Sequence, residues 1–272
     1  MLSCRRALYP VCQPGQEPPA SVRPIAHTIA ASDGTTVEVW RLAAETPRGR
    51  ILLCHGYRAD RFQVLGIAAG LRRHGYETLI MELRGHGRRP GPCTLGVREV
   101  GDALAVLRWI ASSDRLPPLP IGAVGLSMGA AVLCEAARHT SHLQALVTDS
   151  AYPRLFPVIA SFIWQRHHMP NIPFAWITWW SLHVALRARL ARLDPIRVVR
   201  HVRQPLLALH GAADQRVPLD AAEAFYRAWA GPKERWVDPQ AAHAGLFASD
   251  PETYCTRLAA FFNQALASRL AR

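Results

Sequence analysis

The feature that most constrains this chain is a Gly-x-Ser-x-Gly pentapeptide at residues 125–129. The apolar run before it, residues 121–124, suits a buried strand, and residues 130–138 after it are good helix formers. A serine at such a junction lies on a tight strand-to-helix turn that points its hydroxyl out of the sheet edge. The flanking glycines fit unusual backbone angles and close neighbours. The pattern predicts that Ser127 is an exposed nucleophile beside the positive end of a helix.

An aspartate and a histidine follow Ser127 at the ends of predicted strands. Asp214 lies in the loop after the apolar run 205–210, and His243 lies in the loop after the run 234–237. Serine is a weak nucleophile until a base within hydrogen-bonding distance takes its proton, and a carboxylate holds that base in the right tautomer. The chain order Ser, Asp, His accompanies nucleophiles in turns of this kind. We therefore predict a triad of Ser127, His243 and Asp214.

These motifs resemble those of the α/β-hydrolase superfamily, and within it the serine aminopeptidase-like and esterase-like branch. The resemblance spans roughly residues 27–272 and implies an α/β fold, with a mainly parallel central sheet, helices on both faces and an inserted helical cap. Glu82 stands where related sequences usually carry an aspartate, which affects a supporting position. The matching segments are 53–56 (Leu-Cys-His-Gly), 82–87 (Glu-Leu-Arg-Gly-His-Gly), 125–129 (Gly-Leu-Ser-Met-Gly), 209–218 (Leu-His-Gly-Ala-Ala-Asp-Gln-Arg-Val-Pro) and 242–245 (Ala-His-Ala-Gly).

The resemblance also assigns an oxyanion hole. In the resembled family, the backbone N–H of the residue after the first His-Gly pair supplies one donor, and that residue is Tyr57 here. The second donor would be the backbone N–H of Met128, directly after the nucleophile. We interpret the side chain of His55 as a buttress of this loop rather than as a reacting group.

Two further titratable residues compete for roles in the site. Asp149 ends the apolar run 143–148 and is a rival to Asp214 as the acid of the triad. We favour Asp214, which sits in the fuller motif, and expect Asp149 to cap or brace its turn. His86 precedes Ser127 in the chain, and the resemblance makes it a loop-packing residue.

The order of elements predicts one large domain. Half of the 272 residues are hydrophobic, enough for a sizeable core. Residues 1–26 read as a Pro-rich extension and residues 27–272 as the hydrolase domain, with a cap insertion at about 152–194. Alternating strands and helices imply a mainly parallel sheet covered on both faces. The predicted elements are a hairpin at 27–31 and 35–42, strands at 50–54, 76–83 and 143–148, and helices at 61–74, 98–112, 219–230 and 251–270, with a further helix starting at Asp194-Pro195.

The cap region is rich in aromatic residues. Trp164, Trp176, Trp179 and Trp180 either line an apolar acyl pocket or pack the cap onto the body. The uncharged run 172–186 is interrupted by a proline and followed by arginines, so we expect a cap helix in weak contact with a membrane surface rather than a span. No third ligand at a fitting spacing accompanies the adjacent pair His167 and His168, and we expect no metal there.

Charge and cysteine content narrow the setting. The net charge is +12, and Lys233 is the single lysine among 32 basic residues, so 32 − 1 = 31 are arginines. Without a compact basic run or a nucleic-acid-binding motif, we expect a basic solvated surface and no nucleic-acid partner. Two of six cysteines, Cys54 and Cys134, fall in predicted core elements, and the N-terminal region has no apolar signal segment. These features favour a reducing, cytoplasmic setting.

The predicted chemistry is acyl transfer to water. We expect a serine hydrolase acting on carboxylic esters or lipids through an acyl-enzyme, with a small-molecule acyl substrate and no metal or organic cofactor. A peptidase or amidase of the same fold is the first alternative. A non-catalytic binding module of the same fold is the second, and it is less favoured because all three candidate triad residues are present.

Overall fold

The computed structural model describes residues 8–10, 17–20, 22–89, 91–113, 116–167, 171–186, 190 and 194–270. In these residues the chain alternates between strands and helices, as the apolar pattern predicts. The described strands are β1 (Ile25–Ala30), β2 (Thr36–Leu42), β3 (Arg50–Cys54), β4 (Glu77–Met81), β5 (Ile121–Leu126), β6 (Leu143–Asp149), β7 (Leu206–Gly211) and β8 (Lys233–Asp238). The described α-helices are α1 (Phe62–Arg73), α2 (Glu99–Ser112), α3 (Met128–Arg138), α4 (Leu155–His167), α5 (Asn171–Leu186), α6 (Pro195–Val198), α7 (Leu219–Ala228), α8 (Leu246–Ser249) and α9 (Pro251–Leu270).

The described strands form one mainly parallel sheet. Its order is β1-β2-β4-β3-β5-β6-β7-β8. Strand β2 pairs antiparallel with both β1 and β4, and the pairs from β4 to β8 are parallel. Every residue of β3, β4 and β5 is buried, which is typical of parallel strands covered on both faces. The α/β fold class predicted from the sequence is confirmed.

Apolar side chains fill the space on both faces of the sheet. One cluster joins the sheet to α2 and α3, and a second joins it to α1 and α9. In α9 the predicted inward residues Leu258, Phe261, Phe262 and Leu266 are all buried. The sheet is therefore a rigid platform whose loops at the carboxyl ends of the strands carry the polar groups.

Element boundaries differ from the predictions by a few residues. The hairpin forms with Asp33 at its turn, where the backbone N–H and the hydroxyl of Thr35 donate to the carboxylate at 3.2 and 2.7 Å. Strand β1 begins at Ile25, inside the segment assigned to the extension. The helix expected from Asp194 is a single turn, α6, and Asp194 pairs with Arg197 at 3.1 Å instead of capping it. The predicted start of the helix at Asp194-Pro195 is confirmed.

Parts of the N-terminal extension pack on the body. Leu8 is buried in the cluster beside α2, and its carbonyl oxygen accepts the N–H of Cys93 at 2.7 Å. Val22 packs against the cluster beside α1. Of residues 1–16, the structure describes residues 8–10 alone.

Helices α4 and α5 occupy the interval between β6 and α6, where we expect the cap insertion. They pack against each other, with Ala160, Ile163 and Ala175 buried between them. In the part of the chain that the structure describes, no helix has the length and apolar character needed to cross a bilayer. The segment between β6 and α6 therefore contains a packed pair of helices.

Close backbone contact between β3, β5 and α3 shapes the turn at Ser127. A β-carbon at Gly125 would lie 2.6 Å from the backbone nitrogen of Ala130, and a β-carbon at Gly129 would overlap the carbonyl oxygen of Cys54. These two glycines let the start of α3 sit directly on the strands. The pentapeptide is thus a packing requirement as well as a chemical motif.

Two glycine-to-alanine changes in helices test this contact. Gly129→Ala should lower the free energy of unfolding by about 1–3 kcal/mol, because the new methyl group overlaps fixed backbone. Gly101→Ala is the matched control, since a β-carbon at Gly101 in α2 meets nothing within 4 Å, and it should raise stability by about 0.5–1 kcal/mol. Urea unfolding of both variants measures the difference. Equal stability of the two variants would contradict the packing assignment.

Candidate active site

Ser127 lies in the turn between β5 and α3, in a strained backbone conformation. Its φ of 50° and ψ of −111° place a non-glycine residue at positive φ. Its backbone N–H donates to the carbonyl oxygen of Asp149 at 2.8 Å, which ties the turn to the end of β6. Such strain persists only where the surrounding structure holds it, and here the tight glycine contacts and this bond do so.

The structure brings the three predicted triad residues together. Nε2 of His243 lies 2.9 Å from Oγ of Ser127, and Nδ1 of His243 lies 2.7 Å from Oδ2 of Asp214. The three residues follow β5, β8 and β7, whose carboxyl ends meet at one edge of the sheet. The side chain of Asp214 is 0% exposed and that of His243 is 12% exposed, so of these two residues only His243 reaches toward solvent.

Asp214 is held as an ionised acceptor. Its Oδ1 accepts the backbone N–H groups of Arg216 and Val217 at 2.8 and 3.0 Å. Burial opposes ionisation, but the hydrogen bond from His243 and the two amides outweigh it, so the pKa of Asp214 lies below its usual range. The carboxylate therefore accepts the Nδ1 proton of His243, which leaves the lone pair of Nε2 facing the hydroxyl of Ser127.

His210 is a neighbour of this acid that sequence reasoning missed. Its Nε2 lies 2.9 Å from the carbonyl oxygen of Val217 and 3.8 Å from Oδ2 of Asp214. Burial lowers the pKa of His210, so it fixes the loop of Asp214 as an uncharged donor. The sequence feature that could have identified it is its position at the end of a strand, four residues before Asp214.

The predicted oxyanion loop adjoins Ser127. A β-carbon at Gly56 would lie 3.6 Å from Cβ of Ser127, and the backbone N–H of Gly56 donates to Oε1 of Gln63 at 2.8 Å. Tyr57 directly follows Gly56 in this loop. Met128 is the first residue of α3, and the N–H groups of the first helical turn have no acceptor within the helix. The two predicted donors thus come from backbone segments on the same side of the sheet edge as Ser127.

Two buried histidines hold the loop in place. Nδ1 of His55 lies 2.8 Å from the carbonyl oxygen of Gly56, and its Nε2 lies 3.1 Å from the amide nitrogen of Leu83. Nε2 of His86 accepts the backbone N–H of Arg58 at 3.0 Å. Burial lowers the pKa of His86 to about 3, with a further contribution from His55, so His86 stays neutral and accepts this bond. Both rings serve loop packing, the role that the sequence indicated.

Glu82 and Arg61 brace the same loop from below. Oε2 of Glu82 lies 3.0 Å from Nε of Arg61, and its Oε1 lies 2.9 Å from Nε2 of His55. All three side chains are nearly fully buried. Nε2 of His55 already accepts the N–H of Leu83, so among the described residues Oε1 of Glu82 receives no hydrogen bond, and Arg61 is the partner that holds this carboxylate.

Asp149 braces the loop of the base but does not replace Asp214. Its carboxylate accepts the hydroxyls of Ser150 at 2.9 Å and of Tyr254 at 3.1 Å. The Ser150 oxygen in turn accepts the backbone N–H of Ala244 at 2.8 Å, directly after His243. Burial raises the pKa of Asp149 to about 6, although the hydrogen bonds from the two hydroxyls act to lower it. Ser150 and Tyr254 carried no motif that would have singled them out.

The predicted pocket tryptophans lie mainly on the outer part of the cap. The rings of Trp164, Trp176 and Trp180 are 53%, 47% and 63% exposed, so about half of each faces solvent. Trp179 is partly buried and packs toward the main core, with its ring 5.5 Å from that of Phe156. The first three therefore do not form an enclosed pocket in this conformation, and the pocket role remains a prediction for Trp179.

Helix α4 contacts two loops of the candidate site. Ser161 and Gln165 donate to the carbonyl oxygen of Gln215, next to Asp214, at 3.2 and 2.7 Å. The guanidinium of Arg58 lies 5.9 Å from the ring centre of Phe162. The loops of the acid and of the predicted oxyanion hole thus both touch α4. Of the adjacent histidine pair, His168 lies outside the described residues.

Asp149→Asn tests the burial of this carboxyl through the pH dependence of stability. A carboxyl whose pKa rises from 3.8 to about 6 on folding binds its proton more tightly in the folded state, so its contribution to stability falls as the pH rises through this window. Relative to wild type, Asp149→Asn should gain about 2–3 kcal/mol between pH 4 and pH 7. Urea unfolding at several pH values measures this gain.

Asp250→Asn is the control for that series. Asp250 is exposed at the start of α9, and the amide of Thr253 lowers its pKa, so its contribution to stability is present above the usual carboxyl pKa and is lost as the pH falls. This variant should show no gain toward neutral pH. Parallel profiles for Asp149→Asn and wild type would contradict the assignment.

Comparison with known proteins bears on the fold of this chain. A family model for the alpha/beta hydrolase fold matches residues 49–180. The uncharacterized protein YqkD of Bacillus subtilis is 24% identical over 232 residues, which cover 84% of this chain and 76% of YqkD. An uncharacterized protein of Mycobacterium tuberculosis is 30% identical over 203 residues, 74% of this chain. The chain spans 63% of that mycobacterial relative, just under two thirds of its length.

Solved structures extend the similarity to the whole fold. The esterase Pf2001 of Pyrococcus furiosus superimposes with a TM-score of 0.79 at 20% identity, covering 96% of this chain and 98% of the esterase. At that identity the likeness concerns the fold. The strand order, the strained turn at the nucleophile position and the family match lead to one assignment. The chain has the α/β-hydrolase fold.

Proposed function

We propose that this protein is a serine hydrolase that cleaves carboxylic esters or lipids through Ser127, His243 and Asp214. One observation carries the proposal: an unbroken chain of hydrogen-bonding contacts runs from Oγ of Ser127 through both ring nitrogens of His243 to a buried carboxylate. A histidine held between a serine and an ionised acid is the arrangement that activates a serine hydroxyl.

The chemistry follows from this arrangement. His243 takes the proton of Ser127 as Oγ attacks the acyl carbon, while Asp214 stabilises the imidazolium. The N–H groups of Tyr57 and Met128 hold the negative oxygen of the tetrahedral intermediate. The C–O bond to the leaving group then breaks, and His243 returns the proton to the departing alcohol. Water, deprotonated by the same histidine, cleaves the acyl-enzyme and restores the serine.

The composition of the cap supports an apolar acyl substrate. Residues 152–194 contain one acidic residue, Asp194, which is already paired with Arg197. A peptidase that binds a free amino group needs an acidic side chain at its site, and this cap offers little of that kind. Apolar and aromatic side chains of α4, such as Phe156 and Phe162, suit an acyl chain. An ester or lipid is therefore favoured over a peptide.

The cysteines support a reducing, cytoplasmic setting. Among the described residues, Cys54, Cys93, Cys134 and Cys255 are buried thiols that form no disulfide. Burial raises the pKa of the Cys54 and Cys134 thiols well above the usual range and that of Cys255 to about 11. Thiols held in the protonated form react slowly, so these residues act as small apolar side chains.

Hydrolysis of p-nitrophenyl esters of increasing chain length tests the proposal. Ser127→Ala should lower kcat at least about 10³-fold, because the nucleophile is lost. Ser112→Ala is the matched control, since its hydroxyl bonds within α2 on the exposed surface, and it should behave as wild type. Faster turnover of aminoacyl p-nitroanilides than of any ester would favour the peptidase alternative. A folded wild type without turnover would favour the binding module.

A second pair of variants separates the two candidate acids. Asp214→Asn should lower kcat by about 10³- to 10⁴-fold, because the amide favours the wrong tautomer of His243. Asp149→Asn keeps a similar shape and leaves the backbone carbonyl that accepts the N–H of Ser127 in place. It should cost less than about tenfold, since its side chain acts through Ser150 on the loop alone. Steady-state kinetics on one ester measures both. The opposite ranking would make Asp149 the acid.

A further inference from the structure

Helix α5 carries an apolar stripe on its solvent side. Trp176, Trp180 and Val184 recur four positions apart, and Ile177 lies three positions before Trp180; the four residues are 47%, 63%, 76% and 56% exposed, respectively. The opposite side of the helix is apolar too, with Ala175, Leu182 and Leu186 buried. A helix that is apolar all round is normally covered on every side.

The length of α5 argues against a transmembrane segment. The backbone of Ile172 is not helical, so the continuous helix covers residues 173–186. These residues span about 21 Å at 1.5 Å per residue, short of the roughly 30 Å of a bilayer core. Two tryptophans on the exposed stripe are the residue type that concentrates at the boundary between lipid and water. These features fit a helix that lies in the membrane surface with one face immersed.

The charge of the sequence segment that carries the stripe indicates which kind of lipid surface the stripe would bind. In the sequence, residues 152–200 hold seven arginines and one acidic residue. Among the described ones, Arg154 and Arg200 are exposed, and Arg197 is paired with the single acid, Asp194. An apolar stripe within a strongly basic segment complements anionic lipid headgroups. Two copies of the same basic segment would repel each other across a two-fold interface, so a second chain fits the stripe less well.

We propose that the exposed stripe of α5 docks this protein onto anionic lipid surfaces. The stripe enters the headgroup region, and exposed arginines of the described part of the segment, Arg154 and Arg200, bind the lipid phosphates. Helix α5 packs on α4, and α4 contacts the loops next to Asp214 and Tyr57. Docking therefore sets the cap, and the site beneath it, against the membrane. Delivery of apolar esters from the bilayer to Ser127 is a consequence that rests on the proposed function; the docking itself does not.

Vesicle flotation of the full chain carrying Ser127→Ala tests the docking without turnover. The protein should float with vesicles of phosphatidylcholine mixed with phosphatidylglycerol, float poorly with phosphatidylcholine alone, and be released by high salt. Adding Ile177→Gln and Val184→Gln should lower the partition coefficient about tenfold or more. Ile25→Gln, at a 47% exposed isoleucine on edge strand β1, is the matched control and should bind as before.

Three outcomes would overturn the docking proposal. One is equal flotation with neutral and anionic vesicles, and another is flotation that the α5 changes leave intact while thermal unfolding remains normal. The third is a dimer in sedimentation velocity that the α5 changes dissociate, with no vesicle binding, since a second copy would then cover the stripe. Because flotation uses the inactive variant, failure of the serine chemistry leaves this result unaffected.

Discussion

The direct backbone contact between the start of α3 and strands β3 and β5 is the constraint on which the rest of this site depends. Gly125 and Gly129 leave no side chain between the helix start and the backbone of β3 and β5, and the turn between them forces Ser127 to positive φ. In that position its hydroxyl lies within hydrogen-bonding distance of His243. The first N–H groups of α3 lie at the same junction. A methyl group at Gly129 would move nucleophile and donors together, because both belong to one rigid junction.

The buried polar groups around the site differ in charge, and their charge determines whether they face His243 or hold a loop by hydrogen bonds. Asp214 is ionised and faces His243, whereas His86 and His210 are kept neutral by burial and hold loops by hydrogen bonds. Asp149 ties α9 to the residue after the base, through Tyr254 and Ser150. Several loops are thus held by side chains from distant elements, which keeps the serine and its base within hydrogen-bonding distance.

Sequence patterns predicted the sheet and the meeting of Ser127, Asp214 and His243, since apolar runs and strand-end motifs are local signals. They could not reveal that Tyr254 reaches Asp149 from 105 positions away, because that contact exists only in the assembled fold. Nor could they orient α5: a run that is apolar all round has no period to show which face is buried. Two of the predicted pocket tryptophans, Trp176 and Trp180, accordingly lie on the exposed side of α5.

Peptide mapping by mass spectrometry, after reaction with a fluorophosphonate, tests the central claim most directly. An activated serine displaces fluoride and keeps one phosphonyl group, so the account predicts a single adduct on the peptide that contains Ser127. His243→Ala should suppress that adduct, because the base that activates the hydroxyl is gone. An adduct on a different residue, or a well-folded protein that stays unlabelled, would contradict the assignment of Ser127 as the nucleophile.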